Sequence, residues 1–305
     1  MNNLITDLKS LEIETIKNLK NSKSSNTLRA YQSDFKDFSI FCLKNGFQSM
    51  PTQPKIVALY ITHLSAFSKY STLKRRLASI SILHKTKGHY IDTKHPIIME
   101  NLMGIKRTNG INQKGKKPLL ISGLKKLINV IDESKEKNKR KIRDKALLLI
   151  GFSGGFRRSE LVDIEYEDVE FVSEGVKIFV KKSKTDQSGE GMTKAIPYFD
   201  NKNFCPVESL KKWIEIINFK NSKIFHISDK NVALIIKKYA NQAGLDGHNY
   251  AGHSLRSGFA TSTAESGAEE RNIMAMTGHK STEMVRRYIK EANLFKNNAL
   301  NKIKI

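Results

Sequence analysis

The stretch GHSLRSGFA (residues 252–260) places His253 and Arg256 three residues apart, where a helix is expected to begin. Residues at this spacing share one face of a helix, and the glycine before His253 lets a ligand approach closely. A second Gly-His pair follows in MTGHKSTEMVRRY (276–288), with Tyr288 nine residues beyond His279. Two histidines beside basic residues and ahead of one tyrosine indicate a functional site near the end of the sequence.

The charge of the chain favours a polyanionic partner. Its 305 residues contain 53 Lys and Arg against 30 Asp and Glu, a formal net charge of +23. Such an excess is typical of proteins that bind nucleic acid, although a solvated lysine surface would give the same numbers. The length allows two domains with real hydrophobic cores. Charge alone therefore leaves both interpretations open.

The sequence argues against a disulfide framework, a zinc site and a membrane span. Cys42 and Cys205 fall in helical patterns and have no CxxC partner. No apolar run reaches about 18 residues, the length that a transmembrane helix needs. The amphipathic N-terminus is mixed in charge, unlike a signal peptide. We therefore expect a cytoplasmic protein without membrane contact.

The first third of the chain is predicted to be helical. Apolar residues recur at helical spacing in two segments, SNTLRAYQSDFKDFSIFCL and STLKRRLASISILHKTKG. The second of these segments begins with a basic cluster, Lys74, Arg75 and Arg76, which is either a solvated helix face or a set of phosphate contacts. The polar segment KRTNGINQKGKKP (106–118) has no hydrophobic period and is predicted to be a linker.

The rest of the chain is predicted to be mostly helical with a small antiparallel sheet. RKIRDKALLLIGFSGG predicts a buried helix that ends at a glycine pair. VKIFVKKSKTDQSGEGMTKAIPYF alternates apolar and polar residues around two glycines, which predicts a β-hairpin with a long loop. The predicted organisation is a helical domain over residues 1–110, a linker over 111–117 and a second domain over 118–305.

Several polar residues are individually unremarkable and collectively informative. Arg157 and Glu160 in GGFRRSEL are most simply a structural ion pair, Lys184 in the hairpin loop a solvated lysine, and Tyr288 a core aromatic. Together with the two histidines and Arg256, they form a set that could cleave a phosphodiester without a metal ion.

Each residue type of the set has a chemical use. Two guanidiniums can hold both non-bridging oxygens of a phosphate and oppose the charge of the transition state. A histidine can move the proton of the nucleophile, a lysine can protonate the leaving 5′-oxygen, and a tyrosine can be the covalent nucleophile. No carboxylate cluster suited to Mg²⁺ accompanies them, so we predict neither metal nor cofactor.

Five motifs in this order resemble the boxes of the tyrosine recombinases, also called phage integrases, a family that includes Xer-type and Cre-like enzymes. GGFRRSEL resembles the first arginine box, KSKTDQSGEG the β-hairpin lysine segment, GHSLRSGFATS the His-x-x-Arg box, TGHKS the Gly-His box, and a tyrosine stands at the usual distance beyond it. Lys181 and Lys182 are near alternatives for the lysine. The resemblance implies that the catalytic residues are Arg157, Lys184, His253, Arg256, His279 and the nucleophile Tyr288, with Glu160 in support.

The resemblance is weaker in the first third, which is similar to the helical core-binding domain of these enzymes. It implies an all-α, SAM-like first domain that clamps DNA and a second domain with the DNA breaking-rejoining enzyme fold. The implied DNA backbone contacts are Lys74, Arg75, Arg76, Lys114, Lys116 and Lys117. Helices of this type begin near the N-terminus, so no arm-binding domain is expected.

The resemblance implies a site-specific recombinase that acts on double-stranded DNA sites without metal or ATP. It implies a 3′-phosphotyrosine intermediate, a Holliday junction and a homotetramer on DNA. A type IB topoisomerase and a non-catalytic DNA-binding protein of the same fold are the alternatives. The apolar stripe of the C-terminal tail, which includes Leu294, Phe295, Leu300 and Ile303, is expected to dock either on its own domain or on a neighbouring subunit.

Overall fold

The structure is a computed structural model that describes residues 8–110, 115–181, 183, 186, 189–217, 222–293 and 299–303. The chain divides into two compact units, Met1–Lys114 (the first unit) and Gly115–Ile305 (the second unit). Lys114, Lys182, Lys184, Leu294 and Phe295 lie outside the described residues.

The first unit is built from helices. They are α1 (Leu8–Asn21), α2 (Ser25–Lys44), α3 (Pro54–Ser65), α4 (Tyr70–Thr86) and α5 (Pro96–Asn109). The Ser24 side chain accepts a hydrogen bond from the Thr27 backbone and so caps α2, while proline in the first turn of α3 and α5 fixes a helical φ where no N–H donor is needed. Phe38, Tyr60 and Leu73 are among the buried side chains that join α2, α3 and α4 in one core.

The second unit contains eight further helices and one sheet among its described residues. The helices are α6 (Ile121–Glu133), α7 (Asn138–Ser153), α8 (Arg158–Asp163), α9 (Pro206–Ile216), α10 (Asp229–Gln242), α11 (Ser254–Glu265), α12 (Glu270–Thr277) and α13 (Thr282–Ala292). The strands are β1 (Val169–Val172), β2 (Gly175–Val180) and β3 (Met192–Pro197). This composition confirms the predicted fold class, mostly α with a small antiparallel sheet.

The sheet has the order β1-β2-β3 and is antiparallel throughout. Val176 pairs with Ile196 across β2 and β3, as the predicted hairpin requires, and Val169 pairs with Ile178 across β1 and β2. Strand β1 was not predicted. It joins the sheet through a tight turn after Val172, and its four residues are too short to show a clear alternation of apolar and polar side chains.

Helix α7 lies at the centre of the second unit, and nine of its residues between Asp144 and Ser153 are buried. It packs against α9 on one side and against α11 on another, while α11 also packs against α13. Gly258 lets α11 lie against the backbone just before α6, because a Cβ there would lie 1.9 Å from the carbonyl oxygen of Leu119. Three segments that carry predicted site residues are thereby brought to one end of α7. In the described ranges, no helix combines the length and apolar character that crossing a bilayer requires.

Candidate active site

The turn after α7 positions Arg157. Gly154 ends the helix, and Gly155 continues the chain at a φ of 55°, a left-handed conformation that favours glycine. Arg157 then stands at the start of α8, where the buried carboxylate of Glu160 accepts from its backbone N–H at 3.0 Å and from Nη1 at 2.5 Å. A charge-assisted contact to a buried carboxylate fixes the guanidinium in one orientation.

Arg256 is fully buried and only partly satisfied. Its Nη1 donates to the carbonyl oxygen of Gly155 at 2.9 Å, whereas Nε and Nη2 have no hydrogen-bond partner among the described residues. Burial, and next the charge of Arg157, lower the pKa of Arg256 to about 10. Buried donors are nearly always paired in folded proteins. The two unpaired donor nitrogens of Arg256, Nε and Nη2, therefore point to an anion as their partner.

His253 occupies the N-cap position of α11 and keeps an exposed edge. Its pKa is lowered by desolvation of the ring and then by the positive charges of Arg256 and Arg157. The three side chains therefore lie within electrostatic range of one another. The expectation that His253 and Arg256 serve one site is consistent with this placement.

His279 and Tyr288 lie on the far side of a second glycine turn. Gly278 ends α12 with a φ of 63°, and a Cβ at this position would lie 2.9 Å from the sulfur of Met192. The ring centres of His279 and Tyr288 are 6.2 Å apart. Desolvation, followed by the charges of Arg256 and Arg157, lowers the pKa of His279 to about 4. Tyr288 is 9% exposed on α13 and packs in a small apolar cluster, as its helical pattern suggested.

Lys194 on β3 belongs to the site and was missed by the sequence interpretation. It is fully buried, and its Nζ donates to the carbonyl oxygens of Gly154, at 2.8 Å, and of Met276. These carbonyls belong to the two glycine turns that carry Arg157 and His279. Burial lowers the pKa of Lys194 to about 8. The signal was the strand alternation, which places Lys194 on the same face as buried Ile196.

The hairpin loop between β2 and β3 contains the predicted lysine segment. Lys184 and the alternative Lys182 are outside the described residues. The other alternative, Lys181, is held by three carboxylates, with its Nζ 2.5 Å from Glu165, 2.5 Å from Glu167 and 3.2 Å from Asp168. The hydrogen bonds to these carboxylates raise the pKa of Lys181. Lys181 is thus a poor proton donor, and Lys184 stays the prediction for this role.

The predicted DNA contacts occupy different environments. Lys74 is exposed on α4, whereas Arg75 pairs with buried Asp34, and Arg76, which is 19% exposed, pairs with Asp37. The side chain of Lys116 donates to the carbonyl oxygen of His248 at 2.5 Å, and the backbone of Lys117 bonds to Asn249. Lys114 lies outside the described residues.

The site therefore combines two guanidiniums, a buried ammonium, two histidines with lowered pKa values and a tyrosine. Among the described residues, no group of His, Cys, Asp and Glu side chains is arranged to hold a metal ion. The cationic groups outnumber the one buried carboxylate, Glu160, that lies with them. Such a surplus suits a phosphate, whose oxygens can pair with forked guanidinium donors.

Comparison with known proteins agrees with this geometry. Residues 122–294 match the model of the phage integrase family, and the match spans more than half of the chain. The chain therefore belongs to the phage integrase family, whose members are tyrosine site-specific recombinases.

Its relatives include Xer-type recombinases. The chain is 42% identical over 291 residues to an integrase/recombinase XerD homolog of Selenomonas ruminantium, with 90% of this chain and 84% of the relative covered. It is 25% identical over 276 residues to the tyrosine recombinase XerC of Staphylococcus aureus, with 87% and 86% covered.

Two solved structures share the fold. One is the XerH site-specific recombinase in a post-cleavage complex with a palindromic difH substrate, with a TM-score of 0.62, 19% identity, and 81% of this chain and 73% of that chain covered. The other is a lambda integrase dimer bound to a COC′ core site, with a TM-score of 0.60, 20% identity, and 97% and 98% covered.

Proposed function

We propose that this chain cleaves and rejoins double-stranded DNA at specific sites through a 3′-phosphotyrosine intermediate. The observation that carries the proposal is the state of Arg256, which is buried beside Arg157 with two donor nitrogens unpaired among the described residues. A scissile phosphate would supply acceptors to both donors and neutralise a charge surplus that otherwise only costs stability.

The reaction transfers a phosphoryl group twice. In cleavage, Tyr288 Oη forms a bond to phosphorus, the bond from phosphorus to the 5′-oxygen breaks, and a histidine takes the phenol proton. Lys184 gives a proton to the leaving 5′-oxygen, while Arg157 and Arg256 hold the non-bridging oxygens. A 5′-hydroxyl of the partner strand then loses its proton and bonds to phosphorus, the bond from phosphorus to Tyr288 Oη breaks, and the departing phenolate takes up a proton. Each step exchanges one phosphoester for another of similar energy, so no ATP is needed.

We further propose that the active assembly is a homotetramer on two DNA sites, that strand exchange passes through a Holliday junction, and that the reaction takes place in the cytoplasm. The bound XerH and lambda integrase structures are recombinases on their DNA substrates, which supports DNA as the partner here. The first unit would be the core-binding domain, with Lys74 among its backbone contacts.

Replacement of Tyr288 by Phe tests the proposal. A nicked DNA site traps the covalent adduct, which denaturing gels detect as a shifted protein band. We expect Tyr288→Phe to abolish the adduct and to bind DNA almost normally, because one hydroxyl is lost. Tyr250→Phe, beside the His253 motif, is the matched control and should form the adduct. An adduct in the Tyr288 variant would assign the nucleophile elsewhere.

Two conditions separate this function from its alternatives. Cleavage should proceed in EDTA, since arginines are proposed to fulfil the role of a metal, and a strict Mg²⁺ requirement for the cleavage step would contradict the mechanism. Strand exchange between two duplexes should occur, whereas a type IB topoisomerase would only relax supercoiled DNA. A protein that binds DNA but never forms the adduct would be a non-catalytic member of the fold.

A bridging-sulfur substrate tests the role of Lys184. Lys184→Ala should slow cleavage of ordinary DNA and should recover on DNA with a 5′-bridging sulfur, because a thiolate leaves without a proton. Lys181→Ala is the control, and we expect it to behave the same on both substrates because three carboxylates already hold that lysine. If Lys184→Ala stays slow on the sulfur substrate, the leaving-group proton comes from another residue.

A further inference from the structure

Lys194 is a buried cation that joins two separate turns of the candidate active site. Its Nζ donates to the carbonyl oxygen of Gly154 at 2.8 Å and also to the carbonyl oxygen of Met276. The first carbonyl belongs to the turn between α7 and α8, and the second belongs to the last turn of α12. One side chain on β3 therefore ties together the backbone of two distant parts of the chain.

The turn at Gly154 sets the positions of both proposed phosphate ligands. Arg157 follows Gly154 by three residues. Nη1 of Arg256 donates to the carbonyl oxygen of Gly155 at 2.9 Å. Lys194 and Arg256 thus bind two successive carbonyls of the same turn. A shift of this turn would move both guanidiniums.

The turn at Met276 leads to His279 and lies against β3. Gly278 ends α12 with a 2.7 Å hydrogen bond from its N–H to Met274. A Cβ on Gly278 would lie 2.9 Å from the sulfur of Met192, which stands two residues before Lys194 and so on the same face of β3. Two side chains of one strand therefore hold this turn in place.

The ammonium of Lys194 is costly for the fold. It is fully buried, and it forms no ion pair with a carboxylate in the part of the chain that the structure describes. Its Nζ lies 4.9 Å from the centre of the Phe156 ring, so the ring and the two carbonyls surround the charge. An apolar side chain would fill the same space without the cost of desolvating a cation. A buried charge of this kind indicates a task in the site.

We propose, on the basis of the function proposed above, that Lys194 is a positioning residue that holds the Gly154 turn and the Met276 turn in a fixed relation. The two arginines and His279 would then meet one scissile phosphate together. Lys194 acts through the two carbonyls and contacts neither the phosphate nor the leaving 5′-oxygen. Its role differs from the one proposed for Lys184, which is to protonate that oxygen.

Lys194→Met tests this role because it keeps an unbranched side chain and removes the ammonium. The single-turnover rate of adduct formation on saturating nicked DNA should fall about 10²-fold, as a misplacement of about 1 Å can cause. DNA affinity should be almost unchanged, because no proposed DNA contact is lost. Lys177→Met is the matched control on β2, where Lys177 is exposed and lies 3.6 Å from Glu170. It should cleave at the parental rate, and a parental rate for Lys194→Met would overturn the inference.

Hydrogen exchange followed by mass spectrometry shows whether both turns are released. In Lys194→Met, the peptides that contain residues 152–160 and 274–281 should exchange faster than in the parent. A peptide within residues 143–150, inside the buried part of α7, should exchange as before. Faster exchange of one turn alone, or of all peptides of the second unit equally, would overturn the inference, because the proposed link acts on both turns and on nothing else.

A 5′-bridging sulfur distinguishes positioning from proton donation. Burial lowers the pKa of Lys194 to about 8, a value that would also suit a proton donor. A thiolate leaves without a proton but still needs correctly placed arginines. Lys194→Met should therefore remain as slow, relative to the parent, on the sulfur substrate as on ordinary DNA. Recovery on the sulfur substrate would assign proton donation to Lys194 and overturn the positioning role.

Lys194→Gln is a second variant, and it decides if Lys194→Met does not fold. Its amide keeps a donor, but the side chain is one bond shorter and should not reach both carbonyls. We expect slow cleavage together with faster exchange of at least one turn. Parental cleavage with a turn released, or slow cleavage with both turns protected, would refute the link between them. If the unsubstituted protein forms no adduct, the proposed function fails, whereas the exchange rates still show whether Lys194 holds the two turns.

Discussion

Each unit of the chain contains a cluster of two arginines, a tyrosine and at least one carboxylate. The two clusters differ in how their charges are balanced. In the first unit, Arg75 pairs with Asp34 and Arg76 with Asp37. Tyr60 completes that cluster, because its hydroxyl donates to Asp37 and accepts from Arg76, both at 2.7 Å. Cations and carboxylates are equal in number, so the charges of this cluster balance, although Nε of Arg76 has no hydrogen-bond partner among the described residues.

In the cluster of the second unit, the positive charges outnumber the carboxylates. Arg157 and Arg256 lie with one buried carboxylate, that of Glu160, and Lys194 adds a third positive charge. A buried cation without a partner is costly, so a cluster of this kind is expected where an anion binds. The contrast shows that a pair of arginines is uninformative by itself and that the balance of charge distinguishes a structural network from a binding site.

The largest effects should come from removing one arginine of each cluster. Arg256→Met should lower the single-turnover cleavage rate about 10²- to 10³-fold, as loss of one donor to a developing oxyanion does. It should not lower the free energy of unfolding, because the lost charge had no carboxylate ion pair among the described residues. Adduct formation on saturating nicked DNA and urea denaturation measure the two quantities.

Arg76→Met is the matched variant in the first unit, and the opposite result is expected. It leaves Asp37 without its arginine and removes a 3.9 Å contact from Asp34, which keeps its pair with Arg75. Because Asp37 is 46% exposed, the cost should be about 1–2 kcal/mol of unfolding free energy. Cleavage by the folded fraction should be close to normal. If Arg256→Met destabilised the protein as much as Arg76→Met, the two clusters would both be structural and the comparison would fail.

The sequence places the residues of one cluster in recognisable motifs, but it does not reveal the ion pairs of the other cluster, for a physical reason. Arg157, His253, Arg256 and His279 lie in short motifs beside glycines, and local turns bring such motifs together. The ion pairs of Arg75 and Arg76 could not be predicted, because their partners lie 41 and 39 positions earlier in the chain. Asp34 carried a signal, since it precedes buried Phe38 by one helical turn and so lies on the same face.

Partners that meet only in the folded chain could not be predicted in this way. Lys194 can be placed on the buried face of β3 from the alternation, but its acceptors, the carbonyls of Gly154 and Met276, are 40 and 82 residues distant. Sequence patterns therefore predict which face of a helix or strand a residue occupies. Only the structure shows which distant residue it bonds to.

A change in stability of intermediate size is expected at acid pH. It tests the electrostatics of the second-unit cluster, beside which His279 lies. The pKa of His279 is about 4 in the folded protein and about 6.5 when unfolded, so the unfolded chain binds more protons between these values. Stability should therefore fall as the pH drops from about 6.5 to about 4. The loss should be about 2 kcal/mol after allowance for the partial exposure of the ring.

Replacement of His279 by Gln should remove this part of the acid sensitivity. Urea denaturation at several pH values, compared between the two proteins, measures the difference in slope. His84 in the first unit also has a pKa lowered by burial and provides a comparison away from the second-unit cluster. A His279→Gln protein as sensitive to acid as the parent would mean that neither burial nor the arginine charges lower the pKa of this ring.

The smallest effect concerns the surface of the first unit, where Lys74 is exposed beside the paired Arg75 and Arg76. A lysine that contacts one phosphate releases about one counterion on binding, so Lys74→Ala should lower the slope of log affinity against log salt by about one. Lys85→Ala removes the same charge near the other end of α4 and should leave the slope unchanged. Equal slopes for both variants would mean that Lys74 is only a solvated side chain, and that DNA does not contact the surface beside Arg75 and Arg76.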